Sequence, residues 1–148
     1  MNAKLKRVDG HTPDFIAYCA LRIKLWPMDD ATNHREAAAI ATDHDRWAVF
    51  IARLDGLAIG FVEAHLRDYA EGASSSPVGF IEGWYVAPEA RRHGIGRALM
   101  LEGERWARDR GCVEMASDTQ ADNIGAIEAH QRIGYQIAER LVSFLKRL

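Results

Sequence analysis

A chain of 148 residues, 48% of them apolar and 27% charged, has the size and make-up of an ordinary soluble domain built on one core. Its formal net charge of −2 disfavours nucleic acid as a partner on bulk electrostatics. Nothing approaches the roughly 18 consecutive apolar residues of a membrane span, and the charged start MNAKLKRVDG lacks the apolar segment of a secretory signal, so a cytoplasmic location and no membrane contact are expected.

The predicted elements run as follows. Lys4 to Val8 forms a short strand ending at the turn signal Asp9-Gly10. Thr12-Pro13 opens a helix, with a hydroxyl N-cap and proline in the first turn. Phe15, Cys19, Ile23 and Trp26 recur at helical spacing, so this helix packs one face on the core until Pro27 stops it. Asn33-x-x-Glu36 predicts a capping box at the start of a second, short helix. Trp47–Ala52 and Leu57–Val62 are strands joined through Leu54-Asp55-Gly56, a hairpin signal, and the second can continue through Ala64-His65-Leu66. Arg67 to Val78, RDYAEGASSSPV, is a polar, turn-rich surface loop of a length often tied to function.

A strand then covers Phe80 to Val86. Gly96 to Arg110 predicts a helix with Leu99, Gly103 and Trp106 on one face, a Glu104–Arg108 pair at i,i+4, and Gly111 as C-cap. Val113 to Asp118 is a further strand, Asp122 or Asn123 caps another helix, and Gly134 ends it. Two last strands, Tyr135 to Glu139 and Val142 to Lys146, close the chain. The order β-α-α-β-β-β-α-β-α-β-β gives an α/β domain, residues 1–148, with a mixed central sheet flanked by helices, and no linker divides it.

Chemistry centres on Phe80 to Arg97, FIEGWYVAPEARRHGIGR, where a strand leads into a basic, glycine-containing loop and then a helix. Free backbone N–H groups, the positive end of a helix dipole and guanidinium groups suit an anion there. A dinucleotide turn is excluded because Gly94-Ile95-Gly96 lacks the third glycine, and no phosphate loop ending in Gly-Lys-Ser/Thr occurs. Six histidines (His11, His34, His44, His65, His93, His130) show no paired ligand spacing, so no metal is expected. Cys19 and Cys112 read as reduced, buried thiols. No Gly-x-Ser-x-Gly elbow or Cys/His pairing points to a covalent acyl-enzyme.

The run Arg91-x-x-Gly94-x-Gly96 after a strand resembles the acyl-CoA pyrophosphate loop of the GCN5-related N-acetyltransferase (GNAT) superfamily, and the predicted element order is that of its fold. The resemblance implies acetyl-CoA as co-substrate, lying where the sheet splays between the strands at 80–86 and 113–118. A bulge at Glu82-Gly83 would turn backbone groups toward the pantetheine arm. By resemblance, the backbone of Trp84, Tyr85 and Val86 binds pantetheine, the segment from Arg91 through Arg92, His93, Gly94, Ile95 and Gly96 to Arg97 holds the pyrophosphate, and Asn123 contacts the cofactor arm. Many members carry a tyrosine on the following helix that protonates the leaving thiolate. Here Asn123, Ala126, His130, Gly134 and Tyr135 put histidine in that place, and His130 is either the acid or a packed, cofactor-contacting residue.

Leu25-Trp26-Pro27, the Asp68-Tyr69 to Ser75-Ser76-Pro77-Val78 loop, Phe80-Ile81-Glu82-Gly83 and Glu114-Met115-Ala116-Ser117-Asp118-Thr119 together look like the aminoglycoside 6'-N-acetyltransferases. This resemblance makes Trp26, Tyr69, Glu82, Asp118 and Glu139 aminoglycoside contacts and a homodimer the expected assembly; in a direct transfer, Glu82 or Asp118 is placed to take the amine proton, directly or through water. Carboxylates and aromatic faces also suit a polycation on physical grounds. Trp26 equally suits the last core residue of its helix, Asp118 a loop cap and Glu139 an exposed strand carboxylate. A transferase for another polyamine or a protein amine, and an acyl-CoA sensor without turnover, remain the alternatives.

Overall fold

The computed structural model describes residues 2–148. Its elements are β1 (Lys4–Val8), α1 (Pro13–Leu25), α2 (Asp30–Thr42), β2 (Trp47–Leu54), β3 (Leu57–Arg67), β4 (Val78–Val86), α3 (Ile95–Asp109), β5 (Met115–Ser117) and α4 (Ile124–Arg132), with a 3-10 turn at Pro88–Ala90. One mixed sheet has the order β1-β2-β3-β4-β5, antiparallel except for the parallel β4–β5 pair. The β2–β3 hairpin turns on Asp55 and Gly56, both left-handed (φ 50° and 81°), the two-residue geometry that matches strand twist.

Alternation along the strands divides the core in two. Val62, Ala64, Leu66 and Ile81 meet Ile95, Leu99, Met100 and Trp106 of α3. Val49, Ile51 and Phe61 point the other way, onto Phe15, Tyr18 and Leu21 of α1 and Ala37 and Ala41 of α2. Gly60 and Gly79 let the sheet come close under α3: a Cβ on the first would press on the Tyr85 carbonyl and on Leu99, and on the second on Met115 and Ala107.

Several local expectations change. Thr12 has the extended backbone of an N-cap, but its hydroxyl makes no capping bond and its oxygen is buried without a partner. The second helix begins earlier than Asn33: Asp29 caps it by accepting from the Thr32 N–H, and a charged oxygen at that position serves the free amides directly. Asn33 and Glu36 instead turn inward to Arg22. The buried stripe of α1 runs through Phe15, Tyr18 and Arg22 rather than through Cys19, Ile23 and Trp26. Glu104 does not pair with Arg108; it accepts from the Tyr135 hydroxyl. The strand expected from Val113 is three residues long.

The largest correction concerns the end of the chain. Residues 135–148 form no strand, and Leu141, Val142, Phe144 and Leu145 are exposed. Their local pattern favours extended structure, but a strand exists only where a neighbouring ladder receives it, and none does so among the described residues.

Candidate active site

β4 and β5 pair only over Gly79–Met115, Phe80–Ala116 and Ile81–Ser117. Beyond Ile81, β4 continues to Val86 with β3 on one side and no strand on the other, so one backbone edge is left open. A bulge falls at the parting point: Ala64 faces Ile81 while Glu63 faces Gly83, leaving Glu82 as the extra residue. It also shifts the pleat. Val78 and Phe80 share the Glu82 face; after the bulge, Gly83 and Tyr85 take that face, against Trp26 and Phe61, and Trp84 turns to α3.

The loop after β4 carries two left-handed residues, Arg92 (φ 66°) and Gly94 (φ 80°), the latter as N-cap of α3. Among the described residues, no protein group accepts from the amides of Arg92 to Arg97. Unpaired amides at the start of a 15-residue helix, beside exposed arginines, suit a phosphate anion. The loop is anchored from the strand: Arg91 Nε donates to the Val86 carbonyl (2.8 Å), and Trp84 Nε1 to the Gly96 carbonyl (3.1 Å). Gly96 gives the Trp84 ring room, since a Cβ there would sit 3.1 Å from it and the indole would have to shift.

On the opposite face Glu82 is a half-buried carboxylate held by two bases. Arg67 forks onto it, Nε to Oε2 (2.9 Å) and Nη2 to Oε1 (2.6 Å), and His65 Nδ1 donates to Oε2 (2.9 Å). Both holders are braced by aromatic rings. His65 stacks on Trp47 at 3.9 Å, and the Arg67 guanidinium lies 3.6 Å over Phe80. Trp26 fills the space left by Gly83 and receives Arg22 over its ring at 4.9 Å. Arg22 is bound in turn to Glu63 (2.8 Å), Asn33 and Glu36, and Tyr18 donates to the same Glu63 oxygen. Burial pushes the Glu63 carboxyl up, opposed by the Tyr18 hydrogen bond and by Arg22.

The loop of residues 68–77 covers this face with Tyr69 and Glu71 exposed on it. One carboxylate ties it down: Glu114 accepts from the Ser74 N–H and from the Ser75 hydroxyl, which hold its pKa below the ordinary range. A lowered folded value means the latch is complete above the ordinary carboxylate range and is lost as pH falls through that lowered value. Glu114→Ala is expected to free the loop at neutral pH, so that trypsin cuts after Arg67 roughly tenfold faster; an unchanged rate would remove the latch. The tail crosses the loop where Ala138 lies against Gly72, which places exposed Glu139 beside it.

At the mouth of the split, His130 of α4 lies edge-on to Trp84 and Tyr135. Its Nδ1 donates to the Ala126 carbonyl (2.7 Å), which fixes the proton there and leaves Nε2 facing Ser117 Oγ at 2.8 Å. Asn123 caps α4 through Oδ1, leaving its amide NH2 for another partner. Asp118 follows β5 directly and is exposed.

The structure thus gathers Trp26, Glu82, Trp84 and Tyr85 around the bulge and lines Arg91 to Arg97 along the α3 entrance. Tyr69 and Glu139 stand exposed on the loop and on the tail that crosses it. Sequence reasoning missed His65, Arg67, Ser117 and the Arg22–Glu63 pair. The signal for the first two was present: Glu63, His65 and Arg67 put charged or polar side chains two apart on one face of a strand whose other face is apolar, just before the loop.

The chain matches the model of the Acetyltransferase (GNAT) family over residues 12–135. It is 44% identical over 147 residues to the aminoglycoside N(6')-acetyltransferase type 1 of Stenotrophomonas maltophilia, covering 97% of this chain and 95% of that protein. The enzyme of the same name from Klebsiella aerogenes is 40% identical, with 93% of each chain covered. Among solved structures, AAC(6')-Iy in complex with the bisubstrate analogue CoA-S-monomethyl-acetylneamine superimposes with a TM-score of 0.93 at 35% identity, over 100% of both chains.

Proposed function

The chain belongs to the GNAT acetyltransferase family, with the aminoglycoside N(6')-acetyltransferases as relatives over nearly its whole length, and we propose that it transfers acetyl from acetyl-CoA to the 6' amine of aminoglycosides. The observation that carries this reading is the pairing of two unlike surfaces on one strand. β4 presents an open edge and an anion loop on one side, and Glu82, with aromatic residues around it, on the other. A thioester laid along the open edge would meet an amine drawn to the carboxylates, and proximity would supply much of the acceleration.

The residues present fit acetyl-CoA. The amides and guanidinium groups of Arg91, Arg92, His93, Gly94, Ile95, Gly96 and Arg97 would hold its pyrophosphate. The edge of Trp84, Tyr85 and Val86 would hydrogen-bond the pantetheine, and the Asn123 amide would reach the same arm. Trp26, Tyr69, Glu82, Asp118 and Glu139 would bind the polycationic acceptor. Glu82 or Asp118 takes the proton of the attacking amine, directly or through water. A backbone N–H near Tyr85 or Val86 stabilises the oxyanion. As the C–N bond forms and the C–S bond breaks, the thiolate would take its proton through the Ser117 hydroxyl from His130 acting as the imidazolium: Nδ1 keeps its proton on the Ala126 carbonyl, and Nε2 gives the second one. The reaction is a direct transfer in a ternary complex in the cytoplasm, where Cys19 and Cys112 stay unpaired.

The decisive experiment follows thiol release from acetyl-CoA with kanamycin, tobramycin and amikacin, analogues bearing a 6' hydroxyl, spermidine and a lysine peptide. Turnover confined to the 6'-amino drugs is expected. Turnover on spermidine or peptide alone would leave a transferase for another amine. Cofactor binding without turnover on any amine would leave a sensor.

The assembly proposed is a homodimer completed by the tail. β5 is a three-residue edge strand, and Leu141, Val142, Phe144 and Leu145 stand exposed on a segment with strand-like alternation. Sedimentation is expected to give a dimer, and a chain ending at Arg140 a monomer; a monomeric full-length protein would discard this assembly.

A further inference from the structure

Glu82 has about four lone-pair sites, and three are taken by Arg67 and His65. One remains on Oε1. The carboxylate that should attract a polycation is therefore already occupied by a cation from its own chain. That cation sits on the last residue of β3, at the lip of the loop, and its side chain is about one-third exposed. Glu82, Asp118 and Glu71 all lie close enough to favour its charged form, beside the direct hydrogen bond to Glu82. Phe80 beneath supplies the flat seat a guanidinium prefers.

We propose that Arg67 is a specificity-determining residue of the acceptor side: a tethered cation that occupies Glu82 in the free enzyme and gives up Oε1 when an ammonium group of the acceptor arrives. The inference rests on the polycationic acceptor reading above. An acceptor with one positive charge gains little by the exchange, because it replaces a two-bond guanidinium fork with a single ammonium. One with several charges displaces the fork and still has Asp118 and Glu71 to engage, while the released guanidinium stays near Glu71. Arg67 thus discriminates by the number of ammonium groups, lowering the affinity for every cation and leaving the highly charged ones ahead.

The sign of the effect separates this role from the obvious alternative. If Arg67 only orients Glu82, removing it weakens acceptor binding. If it competes, removing it tightens binding. Calorimetric titration of tobramycin and of spermidine into the enzyme is expected to give a Kd about three- to fivefold lower in Arg67→Gln than in the parent, with steeper weakening by added salt because one more carboxylate charge is uncompensated. Spermidine should gain more than tobramycin. Arg67→Lys, which cannot fork onto both oxygens, should fall between the two and decides the matter if the glutamine variant does not fold. An unchanged or raised Kd in these variants overturns the proposal. Thiol release by the parent enzyme is read separately. Absence of turnover there with tighter binding by the variant would sink the transferase reading and leave Arg67 as the cleft's own counter-ion.

Discussion

Arg22→Met is expected to destabilise the fold by about 3–5 kcal/mol, because it leaves Glu63 as an uncompensated buried charge. The side chain of Arg22 ties three elements together: it bonds to Glu63 on β3 and to Asn33 and Glu36 on α2 from its place on α1. Methionine restores the packing but none of the bonds. The melting temperature should fall by roughly 10 °C. The loss should also depend on pH in a stated direction. Burial already pushes the Glu63 carboxyl up, and without Arg22 it moves further. A raised folded value means the variant is best off below the ordinary carboxylate range and loses stability as pH rises through the new value. The gap to the parent should therefore widen from pH 5 to pH 8 in calorimetric melts. Equal melting temperatures, or a gap independent of pH, would show that the pair does not hold the fold. Arg22→Met with Glu63→Gln should recover much of the loss, since the amide still accepts from Tyr18.

Asp118→Asn and Glu82→Gln are the substitutions expected to damage turnover most. If one of these carboxylates takes the amine proton, its amide should lower kcat/KM for a 6'-amino drug by about 10²- to 10⁴-fold, with the KM for acetyl-CoA little changed. The carboxylate that only binds should mainly raise the acceptor KM. Their surroundings differ: Asp118 is exposed at the end of β5, whereas Glu82 is enclosed by Arg67 and His65. His130→Phe should keep acceptor binding and lower kcat, since the proton for the thiolate would then come from water. Near-normal kcat and KM in both carboxylate variants would refute the site assignment.

Two backbone features were legible. The Arg91-x-x-Gly94-x-Gly96 spacing after a strand pointed to free amides at a helix start, which follows from what a chain does locally, and the family resemblance placed the bulge at Glu82-Gly83. The Arg22–Glu63–Tyr18 network was hidden for the opposite reason. Its members lie up to 45 residues apart, and a periodicity reading counts apolar positions, so it passed over the buried arginine. The capping role given to Asn33 failed similarly: Asp29, four residues earlier, offered a stronger cap, and only the tertiary position of Arg22 explains why Asn33 is there. The closing strands were misread because alternation reports a readiness to pair, while pairing needs a ladder that the sequence alone does not display.

The extra residue in β4 gives the strand a parity. Before it, even-numbered side chains face the α1 side of the sheet; after it, odd-numbered ones do, so one count decides that Tyr85 stands on that side and Trp84 on the α3 side. Substitutions along β4 change what stands at a place, whereas losing the extra residue would return the strand to a regular ladder against β3. Trp84 would keep its side, but the bulge and the Glu82 carboxylate it presents would be gone. The ten residues from Asp68 to Pro77 carry no such constraint, because a loop has no faces to interchange. Length variation that changes which acceptors are taken should therefore accumulate in that loop, and β4 should tolerate altered letters but not an altered number of them.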